Sequence, residues 1–270
     1  MWVHSLHVYP LKGARGISLE HAEVLLSGIR HDRRFMALDE HAVFVTQRSH
    51  PRMALVDVAI EKGQLQLSAL GHTAAVPLTP DGPRRRARVW KDDVEAIEVD
   101  GEAAQLLSDH LETKCSLVFM PLDVVRQVDE QYGRPGDRVG FADAFPFLVA
   151  SLASLAELGA RLERSGMPPV PMDRFRPNIV VEGGAPYEED EAVTARIGPV
   201  IFRMPKPCAR CQVTLVDQQT GEQTKEPLRT LSTYRKVASA VNFAMNAIPD
   251  LDAEESAVIR VRDPVVYGRR

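Results

Sequence analysis

The sequence predicts a strand-dominated α+β fold, a β-barrel core with a few helices preceded by an N-terminal part that is itself barrel-like. Three observations carry this. Short alternating or apolar runs recur along the chain, separated by glycine- and proline-bearing turns, a spacing typical of barrels and sandwiches. Only two segments place apolar residues at helical spacing. No internal repeat is visible. The 270 residues suit one large or two modest domains, and we divide the chain at 1–120 and 121–270.

Trp2 to Val8 reads as a strand, and Tyr9 to Gly16 as a turn-rich loop punctuated by Pro10, Gly13 and Gly16. Ala22 to Leu26 and Phe35 to Leu38 are further strands, joined through Gly28 and the charged patch His31-Asp32-Arg33-Arg34. Phe44 to Arg48 is a strand closed before Pro51, and Met53 to Glu61 and Leu65 to Leu70 are short β runs. Arg84-Arg85-Arg86-Ala87-Arg88 is a basic run, read as a charged strand edge that resists aggregation or, alternatively, as an anion or partner site. Asp100 caps a helix through Leu111, with Glu102 in its first turn. A second helix covers Ser151 to Glu163, with Leu152, Leu155, Leu158 and Leu162 facing the core. Met167 to Pro177 is loop. Ile179 to Glu182 is a strand, Ala195 to Gly198 and Val200 to Phe202 a hairpin, and Ala257 to Tyr267 a final strand pair.

Composition excludes several classes. Hydrophobic residues make up 44% and charged residues 26%, enough for a core and a solvated surface. A net charge of −4 gives no bulk electrostatic reason to expect nucleic acid. Three cysteines, an odd number, argue against a disulfide framework and fit a reducing compartment. No signal peptide and no apolar run of membrane-spanning length is seen, so a cytoplasmic protein without membrane contact is expected. The chain has no P-loop, no dinucleotide glycine fingerprint and no Gly-x-Ser-x-Gly elbow. All eight histidines fall within the first 110 residues, with no pair at i, i+4.

Two of the three cysteines stand in Pro207-Cys208-Ala209-Arg210-Cys211, followed by Gln212-Val213-Thr214-Leu215-Val216-Asp217. The alternation after Cys211 reads as a strand, so Cys211 stands at a strand's start and can present its sulfur to a metal or substrate. A four-ligand zinc site lacks partners, because Cys115 is the only other cysteine and no histidine follows His110. A thioredoxin-like dithiol should open a helix, which a strand does not provide. Two thiols that merely pack remain an alternative.

Several arginines lie in loops rather than on helix faces. Arg33 follows Asp32, Arg48 precedes Pro51, and Arg174 and Arg176 bracket Phe175 before Pro177-Asn178. The proline biases Arg176 towards an extended conformation. Arginine is the residue of choice where phosphate or carboxylate is bound bidentately, and Lys12 can add a point charge. Asp143, before Phe145-Pro146, is a polar site residue or a turn aspartate.

These blocks resemble the MOSC superfamily, named for the C-terminal domain of molybdenum cofactor sulfurases, preceded by its usual N-terminal β-barrel partner. The resemblance runs nearly end to end. It rests on Tyr9-Pro10-Leu11-Lys12-Gly13, Gly28 to Arg33, Thr46-Gln47-Arg48, Val89-Trp90-Lys91-Asp92, Asp143 to Pro146, Arg174-Phe175-Arg176-Pro177-Asn178 and Cys208-Ala209-Arg210-Cys211. It continues through Val216-Asp217, Thr220-Gly221, Pro227-Leu228, Thr230-Leu231 and Tyr234-Arg235. By pattern the chain is most similar to the amidoxime-reducing branch.

The resemblance implies a molybdenum cofactor, with Cys211 rather than Cys208 as the metal ligand and the catalytic residue. It implies cofactor contacts at Lys12, Arg33, Arg48, Asp143, Arg176, Asn178 and Arg210. It implies reduction of N-hydroxylated small molecules with electrons from a separate ferredoxin- or cytochrome-type donor and its reductase. A carrier or sulfur-transfer role without turnover is the alternative. Gly13 departs from the family's usual serine, and no C-terminal ferredoxin-like domain is expected.

Overall fold

The structure, a computed structural model, describes residues 1–99 and 101–269. It is strand-dominated α+β, with three α-helices among the described residues. The largest sheet runs in the order Val265–Gly268, Thr194–Ile197, Val200–Ala209, Ala240–Pro249, Phe147–Ser151, Ile179–Glu182, Trp2–Val8, Ile17–Leu19. Its core is an apolar layer including Leu6, Phe147, Val149, Phe202 and Met245, all at most 2% exposed. Trp2–Val8 pairs antiparallel with Ile179–Glu182, so the first strand of the chain lies in the sheet of its second half.

Phe147–Ser151 and Ile179–Glu182 are parallel, which requires a crossover between them. The helix Leu152–Arg164 makes it. Ser151 caps that helix, its hydroxyl accepting from the amides of Ala153 and Ser154 at 3.2 and 3.4 Å. Leu158 and Leu162 are fully buried against Phe175 and Phe243, and Leu155 packs at the margin, as the helical spacing predicts.

A second sheet orders Phe35–Asp39, Cys115–Phe119, Asp92–Val99 and Arg84–Val89. The basic run Arg84 to Arg88 is therefore an edge strand, with Arg84, Arg85 and Arg88 paired to Glu95, Asp123, Glu98 and Asp93. Two three-stranded sheets complete the chain, one of Ala257–Arg260, His21–Leu25 and Gly28–Ile29, the other of Asp57–Glu61, Gln64–Ala69 and His72–Pro77. All four sheets are open paths among the described residues.

Some local expectations are corrected. Phe44 to Arg48 makes one isolated bridge, Leu38 to Phe44, and then turns, because Ser49 and His50 bond back to the Thr46 carbonyl. Met53 to Glu61 is split into a 3-10 turn, Pro51–Leu55, and a strand. Met172–Phe175, inside the expected loop, is a second 3-10 turn. The tail strands do not pair with each other: Ala257–Arg260 joins His21–Leu25, and Val265–Gly268 joins Thr194–Ile197. The expected Asp100 cap lies outside the described residues; the helix runs Glu102–Leu111 with Glu102 in its first turn.

Candidate functional site

Where the loops from both halves of the chain converge, they enclose a cavity of about 270 Å³. Lys12, Arg33, Arg48, Asp143, Arg176, Asn178, Arg210 and Cys211, every residue singled out above, line it together.

The long strand Val200–Ala209 delivers Cys208 and Cys211 to the cavity. The strand expected after Cys211 is instead a 3-10 turn, Gln212–Leu215, with Cys211 at its N-cap position. The Thr214 amide and hydroxyl both donate to the Cys211 carbonyl, at 3.1 and 2.9 Å, and close the turn. Cys211 thus stands at a strand's end. Its Sγ accepts an N–H from Arg48 Nη2 at 3.1 Å. The sulfur of Cys208 accepts from Arg210 Nη1, also at 3.1 Å, while its side chain packs against the Phe175 and Phe243 layer.

One end of the cavity is built around Asp143. Lys12 Nζ donates to its Oδ1 at 2.6 Å and to the Phe141 carbonyl at 2.7 Å. Arg48 Nη2 donates to Oδ2 at 2.6 Å, and Trp90 Nε1 to Oδ1 at 3.3 Å. Desolvation opposes ionisation, but Lys12 and Arg48 overcome it and hold the Asp143 carboxyl well below the usual carboxylate range. Burial draws the Lys12 ammonium down from its ordinary value, and Asp143 works against that shift.

The other end is a cluster of cations on one phenol ring. The guanidinium carbons of Arg33 and Arg176 lie 4.2 and 4.3 Å from the Tyr9 ring centroid. Arg33 has three protein partners: Nη1 donates to Asp32 at 2.5 Å and to Asn178 Oδ1 at 3.1 Å, and Nη2 to the Arg176 carbonyl at 3.2 Å. Asn178 is 1% exposed; its Oδ1 also accepts the Leu148 amide, and its Nδ2 donates to the His7 carbonyl.

The Arg176 guanidinium differs, with no hydrogen-bond partner among the described residues. Burial pulls its pKa down to about 10, so it stays charged at neutral pH. The extended conformation expected before Pro177 is not found. Arg176 adopts φ 53° and ψ 48° at the end of the 3-10 turn Met172–Phe175. That left-handed geometry is uncommon for a long side chain and marks a position held by its surroundings. Arg210 shows a related feature. Nη2 donates to the Phe175 carbonyl at 2.8 Å, while its buried Nε has no partner among the described residues.

Gly13 has φ +92°, and a Cβ there would meet the Met53 methyl at 3.2 Å. A serine in this backbone would be strained and crowded, so the glycine matches its own loop. Gly140 permits close approach of a different kind, since a Cβ would sit 2.9 Å from the Arg33 carbonyl oxygen.

Sequence reasoning missed the residues that hold the loops. Arg126 is 5% exposed; it donates to the carbonyls of Gly140, Ala142 and Asp143 and to the Asp92 carboxylate, fixing the Asp143 loop. Gln47 and Gln218 form a reciprocal buried amide pair at 2.9 Å, and Gln47 also donates to the Gly13 carbonyl. Arg174 ties the turn before Arg176 to the turn after Cys211, through the Leu215 carbonyl and Asp217. No spacing rule separates a lone Arg126 among valines from a surface arginine.

The arrangement offers two soft sulfurs, those of Cys208 and Cys211, in a cation-rich cavity. No group of three His, Cys, Asp or Glu side chains able to hold a metal occurs among the described residues. A metal here would therefore have fewer than three such ligands from the described residues and draw the rest from a bound group. No disulfide forms: all three cysteines are free. No helix among the described residues is long and apolar enough to cross a membrane.

Comparison with known proteins gives a consistent pattern. A family model described as MOSC N-terminal beta barrel domain matches residues 1–114, and one described as MOSC domain matches residues 136–266. The chain is 34% identical to mitochondrial amidoxime-reducing component 1 of Mus musculus, covering 97% of this chain and 81% of that protein. It is 32% identical to the Homo sapiens protein of the same name, covering 97% and 82%. It is 27% identical to the molybdenum cofactor sulfurase of Drosophila grimshawi, over 91% of this chain and 32% of that protein.

Proposed function

The chain belongs to the MOSC family, pairing the N-terminal beta barrel domain with the MOSC domain, and from that premise we propose that it is a molybdenum-cofactor-dependent reductase of N-hydroxylated compounds. The observation that carries this reading is the shared cavity. One wall bears the Cys211 sulfur with Arg48 upon it, and another bears Arg33 and the partnerless Arg176 guanidinium. A dianionic phosphate is the complement of that second wall, and a metal that brings its other sulfurs with it is the complement of a single cysteine.

In this reading Cys211 is the metal ligand. Arg33, Arg176 and Asn178 hold the anionic group and the pterin edge, and Arg210 supports the same wall. Lys12 and Arg48 clamp Asp143, whose carboxylate keeps Arg48 against the sulfur. When bound, the molybdenum cofactor supplies two-electron chemistry. The overall conversion is an N-hydroxylated substrate, two electrons and two protons giving the amine or amidine and water. The chain offers no nucleotide or flavin fingerprint and too few cysteines for an iron–sulfur cluster, so the electrons come from a separate donor of ferredoxin or cytochrome type. A reducing, cytoplasmic location belongs to the same proposal, as does the division at 1–120 and 121–270; the two amidoxime-reducing relatives above carry a mitochondrial location in their names.

A second reading, a cofactor carrier or sulfur-transfer module, is supported by the similarity to a sulfurase, of which this chain matches about a third. Protein made in cells competent for molybdenum cofactor synthesis separates the two. The reductase reading expects bound molybdenum and pterin, amidoxime reduction with reduced viologen dye, and none with NADH alone. Full molybdenum loading with no turnover from any donor would favour the carrier.

A further inference from the structure

Beyond the Asp143 end of the site lies a larger, open cavity of about 1170 Å³. It shares Asp143 and Ala144 with the cavity that holds Cys211, so the two adjoin at these residues. Most of the charges around it are already paired. Arg88 holds Asp93 at 2.7 and 3.0 Å, Arg126 holds Asp92 at 2.8 Å, and Lys91 lies 3.8 Å from Asp129. Arg86 and Glu130 are exposed with no ion pair among the described residues, and beside them the wall is apolar: Val43, Phe44 and Trp90.

Trp90 is the informative residue. It sits in the two-residue tip between the strands Arg84–Val89 and Asp92–Val99, at φ 56°. Glycine, asparagine or aspartate ordinarily occupies such a position, and a bulky side chain there is an outlier that needs a reason. The indole is fixed on several sides. It stands edge-on to Phe44 with centroids 5.1 Å apart, lies 4.7 Å from the Arg48 guanidinium carbon, and donates to Asp143. It is nevertheless 46% exposed, and Val43 beside it 54%. A rigid, immobilised aromatic face left open next to the site provides contact area at little entropic cost.

We propose that this cavity receives the organic body of the N-hydroxylated substrate, and that Trp90, with Phe44 and Val43, selects substrates whose body is a flat, uncharged aromatic ring. The inference rests on the reductase reading. It adds which compounds are taken and where their unreacting part lies. The chemistry is unchanged: the N–O bond breaks, and the oxygen leaves as water after two electrons and two protons are supplied.

The test uses the full chain loaded with cofactor, reduced viologen as donor, and two amidoximes, one bearing a phenyl ring and one a methyl group. Rates are normalised to molybdenum content. The wild type should favour the phenyl compound through KM. Trp90→Ala should shrink the phenyl-to-methyl ratio of kcat/KM by about tenfold, the scale of one aromatic contact, and Trp90→Phe should restore most of it. Val43→Ser, at an exposed position, should shrink it by a few-fold. A merely structural role for Trp90, acting through Arg48, would slow both substrates alike and leave the ratio unmoved; that result overturns the inference. A wild type with full molybdenum that reduces neither compound would instead overturn the reductase reading.

Discussion

Cys208 and Cys211 each receive one arginine N–H at 3.1 Å and both line the same cavity, yet their settings differ. The partner of Cys208 is Arg210, two residues away, held by the Phe175 carbonyl beside the apolar layer in which Cys208 packs. The partner of Cys211 is Arg48, 163 residues away in sequence and anchored on Asp143, which Lys12 holds from its other oxygen. The first arrangement is local and keeps a side chain in place. The second spans the chain and delivers a cation to a sulfur at the open end of a strand. The motif's spacing alone treats the two thiols as equivalent; the origin of the arginine distinguishes them.

The comparison is broken most directly at the sulfurs. Cys211→Ser should abolish activity and molybdenum retention, a loss larger than the roughly 10–100-fold caused by changing groups that orient a metal ligand. Cys208→Ser should keep most of both. Equal losses in a side-by-side metal assay would point to a dithiol mechanism and make the two sulfurs equivalent after all.

The arginines sharpen it. Arg176→Ala should lower cofactor occupancy by one to two decades, since a hydrogen bond to a charged group contributes roughly 1.5–3 kcal/mol. Arg176→Lys should recover only part, because the fork is lost. Normal pterin content together with early melting would make Arg176 a structural residue. Arg48→Ala should cost about 10–100-fold in activity, and Arg210→Ala less than about tenfold. The reverse order, measured as kcat/KM per bound molybdenum, would place the important arginine beside Cys208.

The smallest expected effect lies away from the site and checks that the variants above are not read through global stability. Glu189 is fully buried; its Oε1 accepts from Ser154 at 2.7 Å, and Oε2 has no partner among the described residues. Burial pushes its carboxyl up to about 7, against the opposing Ser154 hydrogen bond. The folded protein therefore keeps this proton at pH values where the unfolded chain, near 4.3, has released it. Stability should fall as pH rises across that window. Glu189→Gln should melt about 2–4 °C above the wild type at pH 8, with the gap closing near pH 5. A gap independent of pH would mean that Glu189 does not titrate there.

Much of this was legible in the sequence. The strand Trp2–Val8 and the buried face of Leu152–Arg164 followed from alternation and helical spacing. The loop residues that the resemblance picks out line one cavity. What failed did so for local reasons. Gln212 to Leu215 alternates over only four residues, too few to separate a strand from a 3-10 turn. The bias of a residue before proline was overridden at Arg176, where a 3-10 turn ends. Arg126, Trp90 and the Gln47–Gln218 pair act through contacts 14 to 171 residues distant, which no local pattern records.

The pairing of Trp2–Val8 with Ile179–Glu182, and of Lys12 and Arg48 with groups far down the chain, sets an order of events during biosynthesis. The loop of Lys12 leaves the ribosome some 200 residues before Cys211, which at ordinary elongation speed is roughly 10–40 s. For most of that interval the first strand has only the short neighbour Ile17–Leu19 to pair with, until Ile179–Glu182 is made, and Arg48 has no Cys211 sulfur to face. A cavity lined by both sets of residues is thereby complete only late in synthesis.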